Sequence, residues 1–367
     1  MVKMIPQDFH LETRFYYKRL NDDEKKLYLY MAELFFNHTF KFFYLFDDEL
    51  MPTDEEFKSI PCYLYPFREE NWANIFKVYD ALLWDCPELY FMSNLELRFE
   101  KNGLFRAGEG VCDYSEEEIA ELDARLDEIV HRFDGIDDVF ELELAVHKFI
   151  TESYDYDHEY KEYPVGDRRG EEIFTVASLL KTGKGVCGGI IRLAQLILQR
   201  HGVEVANILA MAGDEGEDLE LHSWLAVKID GDYYHLDITF DENSTLDKQT
   251  PQFMHFNITD EEAVETGHMF NHEEYPEIVC NSTKYNYYRY KGLYFESPED
   301  IRAPLSEFLS SSPEAMQGKI SYYFRVPKGF DEKAYASVIW SVAKSFGLTN
   351  SFYYAHPDGY FSFTAVE

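Results

Sequence analysis

The strongest constraint on the fold comes from two alternating runs that meet at Asp230-Gly231. The chain reads LHSWLAVKI before that pair and DYYHLDITF after it. Alternation with a period of two predicts half-buried β-strands, and Asp-Gly between two strands is typical of a hairpin with a two-residue loop. Such a loop places Ile229 opposite Asp232. The segment therefore predicts an antiparallel hairpin with a fixed register.

This register places a histidine and a carboxylate on one face of the hairpin. Counting outward from the loop, Trp224 lies opposite Asp237 and His222 lies opposite Thr239. His222 and Asp237 are then diagonal neighbours, about 7–8 Å apart, which an imidazole–carboxylate hydrogen bond can span. A loop one residue longer would turn them to opposite faces, because strand side chains alternate.

Asp237 calls for a role, since aspartate is disfavoured inside strands. His235 is a rival partner, two residues earlier on the same face. We favour His222, which reaches Asp237 across the hairpin. The alternative is a purely structural hairpin that carries an exposed aspartate.

A cysteine stands at the start of a predicted helix. In GKGVCGG, Cys187 directly precedes a run with apolar residues at helical spacing, and Gly202 ends that run. Unpaired amides and the helix dipole favour a thiolate at this position, and the same amides can stabilise an oxyanion. Gly188 and Gly189 permit a sharp turn and close approach of a substrate. The alternative is a small thiol packed inward.

A thiolate, an imidazole and a carboxylate that converge form an activated nucleophile. Three blocks, GKGVCGG, HSW and YYHLDITFD, stand in an order and spacing that resembles the transglutaminase-like superfamily. The chain also resembles a bacterial subgroup of that superfamily over roughly residues 70–295. The resemblance implies a papain-like core in which Cys187 is the nucleophile, His222 the base and Asp237 the orienting acid. The candidates for substrate binding are Gly188, Gly189 and Trp224.

Two positions depart from the pattern of this superfamily. Ile190 stands where relatives often have an aromatic residue, and Leu225 stands where many in the subgroup have asparagine. These departures leave substrate preference and protein crosslinking open. The family's second oxyanion donor is a side chain upstream of the cysteine, where this chain has no glutamine. The Cys187 amide is the preferred donor, and the weaker candidates are Thr175, Ser178 and Tyr156.

The pattern along the chain predicts three regions and an α+β fold class. Residues 1–115 form a helical N-terminal region, in which Asn21 is a plausible helix entry. Residues 116–280, after a helix start signal at Ser115, form the transglutaminase-like core, in which the helix that bears the cysteine packs on an antiparallel sheet. Residues 281–367 form a small α+β domain.

The small domain is predicted from three segments near the C-terminus. KISYYFRV has the pattern of a strand and DEKAYASVIWSVAKSFG that of a helix. SFYYAHPDGYFSFTAV is typical of a hairpin that turns at Pro357-Asp358-Gly359.

The charge balance restricts the kinds of partner. The chain has 34 basic and 69 acidic residues, for a net charge of −35. This charge repels phosphate backbones and anionic membrane surfaces, so neither nucleic acid nor a membrane is an expected partner. No secretory signal and no run of about 18 apolar residues is visible, and we expect a cytoplasmic protein.

The sequence predicts no metal site and no cofactor. The five cysteines are scattered without a CxxC pair, which argues against a disulfide framework and against structural zinc. His268 and His272 have the spacing of helical metal ligands, but surface polarity explains them equally well. The acidic run at 213–218 lacks the terminal glutamate of a calcium loop and suits a rim beside the active-site cleft.

These features together predict a thiol-dependent acyl-transfer enzyme that acts on amide or peptide bonds through a thioester. A protein or peptide substrate is expected. Hydrolysis is favoured over crosslinking, since no amine acceptor site is visible. The alternative is a catalytically silent binding or scaffold module that keeps the fold.

Overall fold

A computed structural model describes residues 9–39, 41–42, 72–99, 105–213, 219–244, 253–311, 313–316 and 321–365. The chain divides into two units. The first comprises Met1–Ala210 and Leu221–Ile229, and the second comprises Met211–Glu220 and Asp230–Glu367. Both mix helices with short strands. The acidic residues 214–218 lie outside the described residues, so their predicted place at a cleft rim stays a prediction. Among the described residues, no helix has both the length and the apolar character needed to cross a membrane.

The first unit is mainly helical. Its helices are α1 (Phe15–Lys18), α2 (Asp22–Phe36), α3 (Trp72–Asp85), α4 (Glu116–Val130), α5 (Val139–Ser153), α6 (Arg168–Glu172), α7 (Val176–Thr182) and α8 (Cys187–Arg200). Its strands are β1 (Lys41–Phe42), β2 (Met92–Phe99), β3 (Phe105–Cys112), β4 (Asp155–Tyr156), β5 (Lys184–Gly185), β6 (Val205–Ala212) and β7 (Glu220–Ile229), although the outer ends of β6 and β7 count with the second unit. β4 pairs with β5 in parallel, and β7 lies beside β6.

Polar side chains set the start of two of these helices. Asn21 accepts hydrogen bonds from the amides of Asp23 and Glu24 at the start of α2. Ser115 accepts from the amide of Glu118 at the start of α4. Each cap satisfies amides that have no partner within the helix. The helix starts predicted at Asn21 and Ser115 are therefore confirmed.

The N-terminal region also contains a sheet that the sequence did not indicate. Strands β1, β3 and β2 form an antiparallel sheet in that order. β3 spans Phe105–Cys112 and reads FRAGEGVC. Glycine is depleted in strands because it has no side chain to pack, so this run does not have a strand pattern.

A buried arginine ties the N-terminal segment to α8. The Arg14 side chain donates from Nη2 to Glu88 Oε1 at 3.1 Å and from Nη1 to Gln199 Oε1 at 2.6 Å. Arg200 Nε donates to the same Glu88 oxygen at 3.2 Å. Because Gln199 and Arg200 are the last two residues of α8, these bonds fix the C-terminal end of the helix that begins at Cys187.

The second unit has short strands and helices. Its strands are β8 (Asp232–Leu236), β9 (Phe256–Ile258), β10 (Tyr322–Arg325), β11 (Phe352–Ala355) and β12 (Tyr360–Thr364). Its helices are α9 (Ile238–Ser244), α10 (Asp260–Glu265), α11 (Tyr287–Tyr290), α12 (Arg302–Ser311), α13 (Pro313–Met316) and α14 (Glu332–Ser345). β8 pairs with β9 in antiparallel register, with His235 opposite Ile258.

The predicted small C-terminal elements are present. β10 and the helix α14 lie within the segments that the sequence assigned to a strand and a helix. β11 and β12 are antiparallel partners, with Ala355 opposite Phe361, and the turn between them contains the predicted Pro357-Asp358-Gly359. A core of aromatic and aliphatic side chains, including Phe324 and Ile339, joins this sheet to α12 and α14. The boundaries at 115 and 280 stay predictions.

The loop at Asp230-Gly231 has two residues, as predicted. β7 ends at Ile229 and β8 begins at Asp232. Both loop residues have positive φ, 52° for Asp230 and 96° for Gly231, as a type I′ turn requires.

The strand after the turn is shorter than expected. β8 ends at Leu236, and α9 begins at Ile238. Thr239 is therefore a helical residue, and the expected strand pairing of His222 with Thr239 is wrong. The physical reason lies in Asp237, whose carboxylate caps the new helix.

Candidate active site

Cys187 is the first residue of α8. The residue before it, Val186, has extended backbone dihedrals and offers no side-chain cap to the helix. The helix begins with the hydrogen bond from the Ile190 amide to the Val186 carbonyl, 3.0 Å. The thiol therefore stands at the positive end of a long helix, as the sequence predicted.

Gly188 and Gly189 pack against the backbone of the turn before α7. A Cβ at Gly189 would lie 3.0 Å from the carbonyl oxygens of both Ile173 and Thr175, and one at Gly188 would lie 3.1 Å from that of Phe174. The structure thus gives the two glycines a packing role. Their assignment to substrate binding stays a prediction.

An exposed phenylalanine beside this helix start was missed by the sequence analysis. Phe174 is 46% exposed although its backbone and Cβ approach Gly188. Its ring contacts Tyr160 edge to face, with ring centroids 6.2 Å apart, and Tyr160 in turn contacts Tyr156. These rings, Tyr156, Tyr160 and Phe174, form an aromatic cluster near Cys187. A single exposed aromatic in EEIFTVAS gives no periodic signal.

The loop that follows α5 is held beside the cysteine segment. The parallel bridge of β4 and β5 sets Tyr156 opposite Gly185. Asp157, which is buried, accepts from the Tyr163 hydroxyl at 2.6 Å and from the Glu159 amide at 3.1 Å. The Asp157 amide donates to the Gly185 carbonyl at 2.9 Å. The polar loop is thus fixed two residues before Cys187.

Two of the weaker candidates for the second oxyanion donor already donate their hydroxyl protons to backbone carbonyls. Ser178 Oγ donates to the Lys184 carbonyl at 2.7 Å, and Thr175 Oγ1 donates to the Glu172 carbonyl at 2.8 Å. A hydroxyl has one proton to donate, so neither side chain can also donate to an oxyanion in this arrangement. The Cys187 amide and Tyr156 remain as candidates.

His222 and Trp224 lie on β7 with their rings stacked. The ring centroids are 6.1 Å apart and the ring planes differ by 19°. His222 is 8% exposed and Trp224 is completely buried. The indole therefore supports the imidazole and limits its rotation. The assignment of Trp224 to substrate binding stays a prediction.

Asp237 lies at the junction of β8 and α9. Its Oδ1 accepts from the amides of Thr239 at 2.9 Å and Phe240 at 3.0 Å. Aspartate is favoured at a helix N-terminus for this reason. The argument that an aspartate inside a strand needs a functional role therefore does not apply, because Asp237 stands just beyond the strand.

The structure brings Asp237 together with His268, which the sequence offered as a metal ligand or, equally well, as a polar surface residue. His268 Nε2 lies 2.9 Å from Asp237 Oδ2, and both side chains are buried. The backbone of His268 is held by an antiparallel bridge to Ala212. Its Nδ1 lies 3.2 Å from the Ala263 carbonyl. Thr266 Oγ1 also lies 3.3 Å from Nδ1, so contacts at both nitrogens hold the ring in place.

His235 and His272 both lie near Asp260. His235 Nε2 is 2.9 Å from Asp260 Oδ1, and His272 Nε2 is 3.4 Å from Asp260 Oδ2. Burial lowers the pKa of His235 in spite of this carboxylate. His235, the alternative to His222 as the base, therefore contacts a carboxylate of its own, that of Asp260. His268 and His272 do not share a helix, since α10 ends at Glu265.

Residues 126–246 match the family model described as a transglutaminase-like domain. The matched range includes Cys187, His222 and Asp237. No curated protein matches the chain.

Two solved structures are similar to part of this chain. One is a protein from Cytophaga hutchinsonii described as a candidate cysteine protease, with 12% sequence identity and a TM-score of 0.26 over 40% of this chain and 61% of that chain. The other is a TGase, with 14% identity and a TM-score of 0.27 over 40% of this chain and 44% of that chain. The chain spans less than two thirds of the length of either.

Proposed function

We propose that this protein is a thiol-dependent acyl-transfer enzyme in which Cys187 is the nucleophile, His222 the base and Asp237 the orienting carboxylate. The observation that carries the proposal is the position of Cys187 as the first residue of α8, within the range that matches the transglutaminase-like family. His222 and Asp237 also lie within the matched range.

The reaction begins when the Cys187 thiolate attacks the carbonyl carbon of an amide. The C–S bond forms, and the electron pair of the carbonyl moves to oxygen, where the Cys187 amide donates to the oxyanion. The C–N bond then breaks, and the departing amine takes a proton from the His222 imidazolium. The product of this half-reaction is a thioester.

Water completes the reaction. His222 takes a proton from water, whose oxygen attacks the thioester carbon, and the C–S bond breaks to restore the thiolate and release a carboxylic acid. We propose hydrolysis of a protein or peptide amide, and a papain-like arrangement of the core. Transfer to an amine would follow the same steps with the amine in place of water.

The catalytically silent module is the second candidate. The observation that favours it is the set of bonds to Asp237, which accepts from two α9 amides and from His268. These bonds account for an aspartate at position 237 without a catalytic role.

Site-resolved alkylation distinguishes the two candidates. Iodoacetamide labelling of the full chain is followed at Cys187 and at Cys112 by mass spectrometry across pH 5–10. The proposal expects rapid labelling of Cys187 below pH 7 and slower labelling in His222→Ala. The half-buried Cys112 serves as the reference thiol, and because burial raises its pKa, it should be labelled only at high pH. Labelling of Cys187 only near pH 8.5, unchanged in His222→Ala, would support the module.

Turnover is tested with a panel of peptide amides and esters. Wild type should form a covalent acyl adduct on Cys187, and Cys187→Ala should not. Cys112→Ala is the matched control and should behave as wild type. An adduct that persists in Cys187→Ala would overturn the assignment of the nucleophile.

A further inference from the structure

Three potential metal ligands meet inside the second unit. A ring nitrogen of His235, a carboxylate oxygen of Asp260 and the sulfur of Cys280 all lie within 4.8 Å of one another. His235 and Cys280 are buried, and Asp260 is half-buried. The three residues come from β8, from the first turn of α10 and from the segment before α11. This cluster has no part in the proposed acyl transfer.

Backbone hydrogen bonds preorganise the cluster. The Asp260 amide donates to the Cys280 carbonyl at 2.8 Å, and the Cys280 amide donates to Asp260 Oδ2 at 3.0 Å. The β8–β9 register sets His235 opposite Ile258, two residues before Asp260. These bonds hold Asp260 beside Cys280, and the strand pairing holds His235 close to Asp260.

A fourth donor stands at the outer edge. His272 Nε2 lies 3.4 Å from Asp260 Oδ2, and its side chain is 51% exposed. The ring of Phe270 packs against the rings of both histidines, with centroids 4.7 Å from His235 and 4.8 Å from His272. The cluster thus has two buried members, His235 and Cys280, and an exposed histidine, His272, beside Asp260.

The donor set selects a class of metal. Zinc binds thiolate, imidazole and carboxylate groups at about 2.0–2.3 Å in a tetrahedron, which separates ligand atoms by roughly 3.3–3.8 Å. His235 Nε2 lies 2.9 Å from Asp260 Oδ1 and His272 Nε2 lies 3.4 Å from Asp260 Oδ2, so the two histidines contact different oxygens of the carboxylate. An ion bound through one oxygen therefore requires the exposed His272 ring to turn toward it. A sulfur and imidazole nitrogens disfavour calcium and magnesium, which take oxygen ligands.

We propose that His235, Asp260, Cys280 and His272 form a tetrahedral Zn²⁺ site that fastens β8, α10 and the segment before α11 together. When the ion binds, an S–Zn bond forms at Cys280 and the thiol proton leaves to solvent. His235 and His272 supply nitrogen lone pairs, and Asp260 supplies one oxygen. Four protein ligands make this a structural site with no open position for substrate.

Cobalt substitution tests the site with a spectroscopic readout that is independent of activity. The full chain is treated with chelator, dialysed and titrated with Co²⁺ in a Cys187→Ala background, so that the proposed nucleophile cannot contribute. We expect one equivalent of Co²⁺ to give tetrahedral d–d bands and a thiolate-to-cobalt charge-transfer band. Zn²⁺ should displace the cobalt and raise Tm.

Variants assign the ligands. Cys280→Ser should remove the charge-transfer band, and Cys112→Ser, the matched control, should keep it. His272→Ala lies at the exposed edge, so it should fold normally and weaken Zn²⁺ binding by roughly a hundredfold. A band that persists in Cys280→Ser, absence of any band, or an unchanged Zn²⁺ affinity in His272→Ala would overturn the proposal. None of these outcomes bears on alkylation of Cys187, so the two proposals can fail separately.

Discussion

Asp237 and His268 form a buried hydrogen bond, with 2.9 Å between Oδ2 and Nε2. Through its other oxygen, Asp237 also caps α9. One carboxylate thus fixes the start of a helix and the ring of a histidine from a distant part of the second unit.

Replacement of His268 should destabilise the second unit. His268→Ala leaves Asp237 Oδ2 without its buried donor, which costs about 1–3 kcal/mol in the free energy of unfolding. Urea unfolding measures this loss. His131→Ala is the control, because His131 is an exposed histidine and its removal should cost less than about 0.5 kcal/mol. Equal stability of the two variants would contradict a structural role for the pair.

Gly189→Ala should disturb the helix that carries the nucleophile. The added Cβ would lie 3.0 Å from two carbonyl oxygens, so the backbone must shift, at a cost of about 1–3 kcal/mol. We expect a lower Tm and slower alkylation of Cys187. Gly170→Ala is the matched control, since its Cβ would meet only Tyr163 at 3.7 Å. A Tm for Gly189→Ala at or above that of the control would contradict the prediction, because it would show that the turn before α7 can shift to accommodate the added methyl group.

Phe174→Ala should change which reagents reach Cys187. Loss of the exposed ring removes an apolar surface beside the helix start, while the fold keeps its stability because the ring is not in the core. Labelling of Cys187 by an N-aryl maleimide should slow several-fold relative to labelling by iodoacetamide. Val165→Ala, which is fully exposed, is the control. An unchanged ratio of the two rates would exclude Phe174 from the approach to the thiol.

The ion pair of Arg14 and Glu88 should make the first unit sensitive to acid. Burial by itself would raise the pKa of Glu88, but the guanidinium groups of Arg14 and Arg200 outweigh it and hold this pKa below its ordinary value. A lowered pKa in the folded state means that the unfolded chain binds the proton first. The stabilisation that the Glu88 charge provides is therefore complete above about pH 4.3, and it is lost as the pH falls through the pKa of Glu88 in the folded state.

Glu88→Gln tests this dependence. At pH 7 the variant should lose about 3–5 kcal/mol, because Arg14 stays buried without its carboxylate. The difference from wild type should shrink as the pH falls below about 4.3 toward the lowered pKa of Glu88, through which the folded wild type also loses the charge. Urea unfolding at pH 7 and at a pH below 4.3 measures the two differences in the free energy of unfolding. The exposed Glu152→Gln is the control, and a difference that stays constant with pH would contradict the linkage.

The sequence by itself determined the features that depend on neighbours along the chain. The spacing of apolar residues after Cys187 defined α8, Asn21 and Ser115 defined helix starts, and Asp230-Gly231 defined a two-residue loop. Each follows from local hydrogen bonding or from the φ that a residue permits. The family resemblance rested on the same local blocks, and the family model matches the range that contains them.

Only the tertiary structure decided which distant groups meet. His268 and Asp237, and likewise His235, Asp260 and Cys280, are separated by long stretches of chain, so no local spacing indicates their contact. The sequence also did not predict that β8 ends at Leu236, because an aspartate can follow an alternating strand pattern and still cap a helix. Packing of one segment against another, which a periodic pattern does not encode, selected these partners.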